Sequence, residues 1–197
     1  MKFDFSQPIK LENERVILRP LEQNDFTYLL PFSENEKDLW DFSLTPAAGA
    51  ENLQTYIDTA LTAKEKLQAY TFVVFDKHVH KVAGSTRFYD IQITHNVLSL
   101  GYTWYGTEFQ RTGLNRNCKY LLLSYAFDVF GVDRVEFRAD LRNVKSIQAM
   151  KQIGCTQEGI LRSNCSASDG RRDSIVLSIL KPEWDQKVKT HLQSKLY

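Results

Sequence analysis

The sequence predicts an α+β fold in which helices pack against a central sheet built from hairpins. Short segments alternate apolar and polar residues, as half-buried strands do. Longer segments repeat apolar residues every three or four positions, as helices with one buried face do. Several predicted strands follow one another directly, whereas an α/β chain alternates strands with helices. The length of 197 residues suits one domain, and no repeat or linker divides residues 1–197.

The composition is that of an ordinary globular protein, with 43% hydrophobic and 25% charged residues. The formal net charge of +1 provides no overall field for binding nucleic acid or an anionic membrane. No apolar run approaches the ~18 residues of a membrane span, and the first ten residues lack the apolar core of a signal peptide. Three cysteines, Cys118, Cys155 and Cys165, form no C-x-x-C pair. We therefore expect a cytoplasmic protein with no nucleic-acid or membrane partner.

The alternating and helical patterns assign most of the chain to strands and helices. The predicted strands are residues 14–20, 70–75, 82–91, 97–104, 134–139, 156–161 and 173–180. The predicted helices are residues 21–32, 51–67, 114–129, 144–153 and 182–192. The second and third strands flank a short turn, which predicts an antiparallel hairpin. His78 and His80 lie in that turn with no third ligand within reach in the sequence, so we expect no metal site.

Residues that favour helix ends bound several of these helices. Asn24 or Asp25 suits the start of the first helix, and Asn143 suits the start of the fourth. Gly131 and Gly154 suit helix C-termini. The apolar spacing then predicts which side chains are buried. In the third helix these are Leu114, Cys118, Leu121, Leu122, Tyr125, Ala126 and Val129. In the fourth helix they are Val144, Ile147, Met150 and Ile153, and in the last helix Trp184, Val188 and Leu192.

The junction between the strand at residues 97–104 and the helix that follows predicts an anion site. The first N–H groups of a helix have no partner within the helix, and the helix dipole adds partial positive charge there. Gly113 lets a phosphate approach the backbone, and Arg111, Arg116 and Lys119 can add charge. Gly106 and Gly113 are seven residues apart and leucine follows the second, so the spacing excludes a P-loop.

The segment from Gln110 to Asn115 resembles the Q/R-x-x-G-x-G/A loop of the GNAT (GCN5-related) N-acyltransferases. Four further motifs occur in the order found in the ribosomal-protein, RimJ/RimL-like branch of that family. They are Gly101-Tyr102-Thr103-Trp104, Asn143-x-x-Ser146, Ile153-Gly154 and Glu158-Gly159-Ile160-Leu161-Arg162. The resemblance spans roughly residues 11 to 185. It implies a GNAT-type fold, in which helices flank a central mixed, largely antiparallel sheet.

The resemblance also implies acetyl-CoA, or another acyl-CoA, as cosubstrate, without a metal. The pyrophosphate would be held by main-chain N–H groups of the loop. The pantetheine arm would lie between the central strand and the fifth strand, which splay apart in this family. The residues implied in coenzyme binding are Tyr102, Thr103, Trp104, Gln110, Arg111, Thr112, Gly113, Leu114, Asn115, Arg116, Asn143 and Ser146. Asn115 departs from the family pattern, which has glycine or alanine at that position.

The implied reaction is direct attack of a primary amine on the acyl thioester. A main-chain N–H near Trp104 or Tyr105 would stabilise the oxyanion. Ser146 would give a proton to the departing thiolate, because RimL-like members carry a serine there. Glu108 is the first candidate for the general base. Asp140, Asp90 and a water chain are further candidates for the base, and Cys165 leaves a covalent route open.

The family's usual acid–base positions hold Ser99 and Met150 in this chain. This departure leaves open a second hypothesis, a coenzyme-A-binding sensor or interaction module without turnover. For the enzyme, the acceptor would be a protein N-terminus or a small molecule, and relatives are often homodimers. Aromatic and basic side chains are candidates for shaping the acceptor side or docking an acidic group. These are Trp40, Phe42, Arg162, Arg171 and Arg172. Arg142 and Lys145 are candidates for the coenzyme's ribose phosphate.

Overall fold

The computed structural model describes Phe5, residues 7–167 and residues 169–196. Eight strands form one sheet in the order β1-β2-β3-β4-β5-β6-β8-β7. The strands are β1 Leu11–Glu12, β2 Val16–Pro20, β3 Ala69–Asp76, β4 Lys81–Gln92, β5 Val97–Tyr105, β6 Arg134–Asp140, β7 Thr156–Ala167 and β8 Gly170–Leu180. Neighbouring strands are antiparallel except β5 and β6, which are parallel. The predicted mixed, largely antiparallel sheet is thus confirmed.

Helices flank this sheet. The α-helices are α1 Phe26–Asn35, α2 Ala50–Glu65, α3 Leu114–Ser124, α4 Val144–Gln152, α5 Lys181–Glu183 and α6 Lys189–Gln193. Short 3₁₀ turns occupy Gln23–Asp25, Lys37–Trp40, Ile93–His95 and Thr107–Phe109, and π-helical segments occupy Tyr125–Phe130 and Trp184–Val188. No helix among the described residues is both long and apolar enough to cross a bilayer.

The first helix starts later than predicted, and Asp25 explains the difference. Its carboxylate accepts hydrogen bonds from the Glu22 N–H at 2.8 Å and from both terminal nitrogens of Arg19. These bonds stabilise a 3₁₀ turn at Gln23–Asp25, so regular α-helix begins only at Phe26. Asp25 is still the residue that precedes α1, as predicted.

The predicted apolar face of the third helix is wrong at its end. Val129 is 62% exposed, whereas Phe130 is buried. The cause is the π-helical segment Tyr125–Phe130, whose wider turn rotates the last residues relative to regular α-helical spacing. Gly131 then ends the helix in the left-handed conformation, φ +71°, as predicted.

The C-terminal elements match their predictions in part. The side chain of Asn143 caps α4 by accepting the Ser146 N–H at 3.0 Å, as predicted, but Val144 is 58% exposed because the first turn of α4 lies at the surface. The hairpin of β7 and β8 continues beyond the predicted strands 156–161 and 173–180, to the pair Ala167↔Gly170. Most side chains of β7 are exposed, and an exposed strand does not need apolar residues at alternate positions. The alternating pattern that predicts a strand is therefore missing from much of β7. Trp184, Val188 and Leu192 are buried as predicted.

Candidate active site

The middle of the sheet opens between β5 and β6. The two strands pair only at Val97↔Arg134, Leu98↔Val135 and Ser99↔Glu136. Beyond these pairs β6 remains joined to β8 as far as Asp140, so its edge toward β5 is left without a strand partner. The predicted splay of the central and fifth strands is confirmed. An extended ligand can add to such unpaired strand edges.

A bulge in β5 lies beside this opening. Gly101 pairs with Arg87 and Trp104 pairs with Ser85, so Tyr102 and Thr103 oppose the single residue between those partners. Tyr102 has φ +49°. A side chain at Gly84 would place its Cβ 2.1 Å from the Trp104 carbonyl oxygen, so the backbones of β4 and β5 approach closely at this glycine.

The bulge sends neighbouring side chains in different directions. Tyr102 packs edge-to-face on Tyr89, with ring centroids 5.0 Å apart, whereas the Thr103 hydroxyl bonds the Thr86 hydroxyl at 2.8 Å. The Trp104 indole is buried against Trp40, at 4.8 Å between ring centroids. Trp40 is therefore a core residue that supports β5. The indole of Trp104 is packed in the same way, which leaves its main chain as the part that can meet a ligand.

Side chains anchor the loop between β5 and α3 at both ends. The carboxylate of Glu36 accepts hydrogen bonds from the N–H and the hydroxyl of Thr107, both at 2.6 Å. The Gln110 amide donates to the Tyr105 carbonyl at 3.0 Å, and the Thr112 hydroxyl donates to the Phe109 carbonyl at 2.8 Å. Gln110 and Thr112 thus fix the shape of the loop with their side chains.

The N-terminus of α3 presents a run of free N–H groups. Arg111 and Gly113 adopt left-handed conformations, with φ +62° and +86°. Across the described part of the chain, the N–H groups of Arg111, Thr112, Gly113 and Asn115 have no hydrogen-bond partner. The N–H of Arg116 instead bonds the Gly113 carbonyl at 3.1 Å. Free N–H groups at a helix start, together with the helix dipole, suit an anion such as a phosphate.

Asn115 has a structural role that accounts for its departure from the family pattern. Its side-chain oxygen accepts a hydrogen bond from the Tyr105 hydroxyl at 3.2 Å. Tyr105 is buried, and burial raises the pKa of its hydroxyl well above the ordinary value. The amide of Asn115 therefore gives this buried hydroxyl an acceptor, which alanine or glycine would not provide.

The prediction that Lys119 adds charge to the anion site is wrong. Its side chain points from α3 toward the sheet, is 5% exposed, and donates from Nζ to the Thr103 hydroxyl at 2.8 Å. Burial lowers the pKa of Lys119 to about 8. Nζ also lies 5.9 Å from the ring centroid of Phe137 on β6. Lys119 is thus a buried cation between the diverging strands.

The predicted acid–base residues occupy different surroundings. Ser146 is half-buried in the first turn of α4, and its hydroxyl makes no hydrogen bond to the residues that the structure describes. Glu108 lies on the turn Thr107–Phe109, with its side chain 58% exposed and a carboxylate oxygen 3.6 Å from Lys81 Nζ. Asp140 is buried and bound by Arg142, which holds the pKa of that carboxyl below its usual value.

Other predicted candidates are tied into local structure. The guanidinium of Arg142 bonds Asp169 as well as Asp140, so it is already paired rather than free for a ribose phosphate. Arg172 is buried and bonds the Ser174 hydroxyl at 3.0 Å and the Phe42 carbonyl at 3.3 Å. Cys165 lies half-buried on β7, in the pair with Arg172.

One residue near the opening escaped the sequence analysis. Arg87 on β4 is only 5% exposed, and it lies next to the bulge through its pairing with Gly101. No motif marks it. The available signal was its position inside a strand-like run of otherwise uncharged residues from Val82 to Tyr89.

Known proteins share this architecture. Residues 15–156 match the family model described as "Acetyltransferase (GNAT) domain". The chain is 25% identical over 182 residues to YjcK of Bacillus subtilis (strain 168), named as a probable N-acetyltransferase, covering 89% of this chain and 99% of that protein. It is also 25% identical over 181 residues to YdaF of the same strain, covering 88% of this chain and 95% of that protein. The name of YdaF places it provisionally among the ribosomal N-acetyltransferases.

A solved structure gives the same result. The crystal structure of a GCN5-related N-acetyltransferase from Brucella melitensis matches with a TM-score of 0.88 and 26% identity, over 97% of this chain and 86% of that one. The family model spans β2 through α4 and includes the loop, the opening and the cap of α4. The resemblance drawn from the motifs is confirmed, and similarity to YdaF agrees with the ribosomal-protein branch. The chain therefore belongs to the GNAT family and is an acetyl-CoA-dependent acetyltransferase.

Proposed function

We propose that this protein transfers an acetyl group from acetyl-CoA to a primary amine by direct attack. The proposal rests on the free N–H groups of Arg111, Thr112, Gly113 and Asn115, which follow the end of β5 where that strand has separated from β6. Such groups hold a diphosphate, and the unpaired strand edges accept an extended pantetheine arm. Together they aim a thioester at the middle of the sheet.

The main chain supplies the electrostatic part of the reaction. Attack of the amine places negative charge on the thioester oxygen, and a fixed N–H near Trp104 or Tyr105 stabilises it. The backbone is rigid here, because Trp104 packs on Trp40 and its carbonyl lies against Gly84. A rigid donor needs no reorganisation as charge develops, so it lowers the barrier more than a mobile one.

Ser146 and Glu108 are the proposed proton carriers. The N–H of Ser146 is occupied by the Asn143 side chain, while its hydroxyl has no partner in the described part of the chain, so it can donate to a departing thiolate. Glu108 is exposed, which connects it to solvent, and it is proposed to accept the proton of the ammonium through water. The acceptor is proposed to be a protein N-terminus or a small molecule, and the word "ribosomal" in the name of YdaF favours a protein.

Thiol release from acetyl-CoA with a panel of amines and N-terminal peptides tests this function. We expect release that depends on the acceptor and that falls at least tenfold in Ser146→Ala, a typical loss for a proton donor. Gln148→Ala, an exposed change on the same helix, is the matched control and should leave the rate unchanged. Stabilisation by coenzyme A without thiol release from any acceptor would instead support a binding module without turnover.

A further inference from the structure

Arg87 is a buried cation without a counter-ion. Across the described residues its guanidinium has no ion pair and no hydrogen bond, and Nε and Nη2 are enclosed without a partner. The rings of Tyr56 and Tyr102 lie over the guanidinium, with centroids 5.1 and 4.5 Å from Cζ. Two aromatic faces hold the guanidinium in place, but they do not replace the hydrogen bonds that it lost on leaving water.

Arg87 lines a cavity of about 230 Å³ between β4, α2 and the segment before α2. The other lining residues are Thr45, Pro46, Asn52, Thr55, Tyr56 and Thr59. None of these side chains is charged, so Arg87 gives the cavity its positive potential. The hydroxyl of Thr45 is likewise buried with no partner among the described residues. Two of the side chains that line the cavity therefore carry unused hydrogen-bonding capacity.

The position of this cavity relates it to the reaction. Arg87 pairs with Gly101, immediately before the bulge, at the level where β5 has parted from β6. Tyr102, which covers one face of the guanidinium, belongs to the bulge itself. The Lys119 side chain reaches Thr103 from α3, whereas Arg87 lies against α2 through Tyr56. The cavity thus lies next to the place proposed for the acyl group of acetyl-CoA, on the side where α2 packs.

We propose that this cavity binds a carboxylate of the acceptor, so that the preferred substrates are amines that carry a carboxylate near the amino group. The inference rests on the proposed function, because it names the acceptor of that transfer. A carboxylate matches a single guanidinium in charge and offers two oxygens for its N–H groups. A phosphate carries close to two negative charges, and no second cation lines the described cavity. The volume suits a small group, since pockets for drug-sized ligands measure about 300 Å³ or more.

Matched acceptor pairs test this inference. Alanine against alaninamide presents the carboxylate of a free amino acid, and peptides with glutamate or glutamine at the second position present an acidic side chain. We expect kcat/KM to favour the carboxylate member of at least one pair on the order of tenfold, the effect of one charged hydrogen bond. The responding pair identifies the source of the carboxylate. In Arg87→Met the ratio should fall to about one, and in Lys66→Met, an exposed change at the C-terminal end of α2, it should persist.

A binding measurement separates this inference from the proposed function. With coenzyme A present, N-acetylalanine or the acetylated glutamate peptide should raise the Tm of the wild type more than its uncharged analogue does. Arg87→Met should lose that difference, and Thr45→Val, which keeps the guanidinium, should reduce it. Acetyl transfer with equal kcat/KM for both members of each pair would overturn the inference and leave the proposed function intact. The inference is also overturned if no carboxylate stabilises the wild type, or if Arg87→Met responds like the wild type.

Discussion

Cations on β2 and cations beside the bulge of β5 are both withdrawn from solvent, in part or fully, but within the described residues only those on β2 have carboxylate partners. On β2, Arg15 bonds the buried Asp76 at 2.8 Å, and Arg19 bonds the buried Asp25 through two nitrogens at 2.5 and 2.8 Å. Beside the bulge, Arg87 and Lys119 are each 5% exposed and have no carboxylate partner within the described residues. The paired cations stabilise the fold, whereas the unpaired ones cost stability in the region where a ligand is expected.

The largest expected effect comes from breaking a complete pair. Asp25→Asn removes the charge that faces Arg19 while keeping the shape of the side chain. The Asp25 carboxylate is 1% exposed, but Arg19 is 33% exposed, so the pair is only partly buried. Because breaking a buried pair costs about 3 to 5 kcal/mol, we expect a loss at the lower end of this range, about 3 kcal/mol of the free energy of unfolding. Urea denaturation of both proteins measures the loss, with Asp58→Asn, an exposed change on α2, as control. A loss below about 0.5 kcal/mol, which is typical of surface changes, would show that the pair is not stabilising.

The second effect is a pH dependence of the free energy of unfolding, caused by Lys119. Burial lowers its pKa from 10.5 to about 8 in the folded protein. Between these values Lys119 binds more protons in the unfolded chain than in the folded one, so its contribution to the stability should rise as the pH increases from 8 to 10.5. Burial raises the pKa of the Cys118 and Cys155 thiols, and these groups act in the opposite direction in the upper part of this range. The rise is on the order of 2 kcal/mol. Urea denaturation across this range should show it as a rise in the free energy of unfolding of the wild type relative to Lys119→Met, which retains both thiols. The same slope in both proteins would assign the dependence to other groups.

The smallest expected effect is a gain in the free energy of unfolding, whereas Asp25→Asn should cause a loss. Arg87→Met replaces an unpaired buried cation with an apolar side chain of similar length, which should stabilise the free protein by about 1 kcal/mol. Thermal and urea unfolding measure the gain, and Lys66→Met should leave the stability within about 0.5 kcal/mol. Destabilisation by Arg87→Met would show that the two tyrosine contacts outweigh the desolvation of the guanidinium, and the contrast between the two regions would disappear.

Much of the fold was predictable because its signals are local. The hairpin of β3 and β4, the cap at Asn143 and the end at Gly131 follow from residue types at fixed positions. The π-helical segment was not predictable, because it departs from regular spacing to bury Phe130, and that depends on the packing of other elements. The extension of β7 was missed because an exposed edge strand carries no apolar alternation.

The site was predictable only where its chemistry resides in the main chain. The motif around Gly113 marks the loop because left-handed backbone and free N–H groups restrict the sequence. The two unpaired cations were not recognised. Lys119 lies three residues before Leu122 and four before Leu123, so helical spacing could have placed it on the buried side. For Arg87 the register of the bulge decides which face it occupies, and alternation alone does not predict a bulge.

The short contact between β5 and β6 has a mechanical consequence. Within the described residues, three residue pairs join the part of the sheet from β1 to β5 to the part from β6 to β8, so the main-chain connection across the middle is narrow. A pantetheine arm bound along both unpaired edges would hydrogen-bond to both parts and hold them together. Binding of coenzyme A should then slow amide hydrogen exchange in β5 and in β6 together.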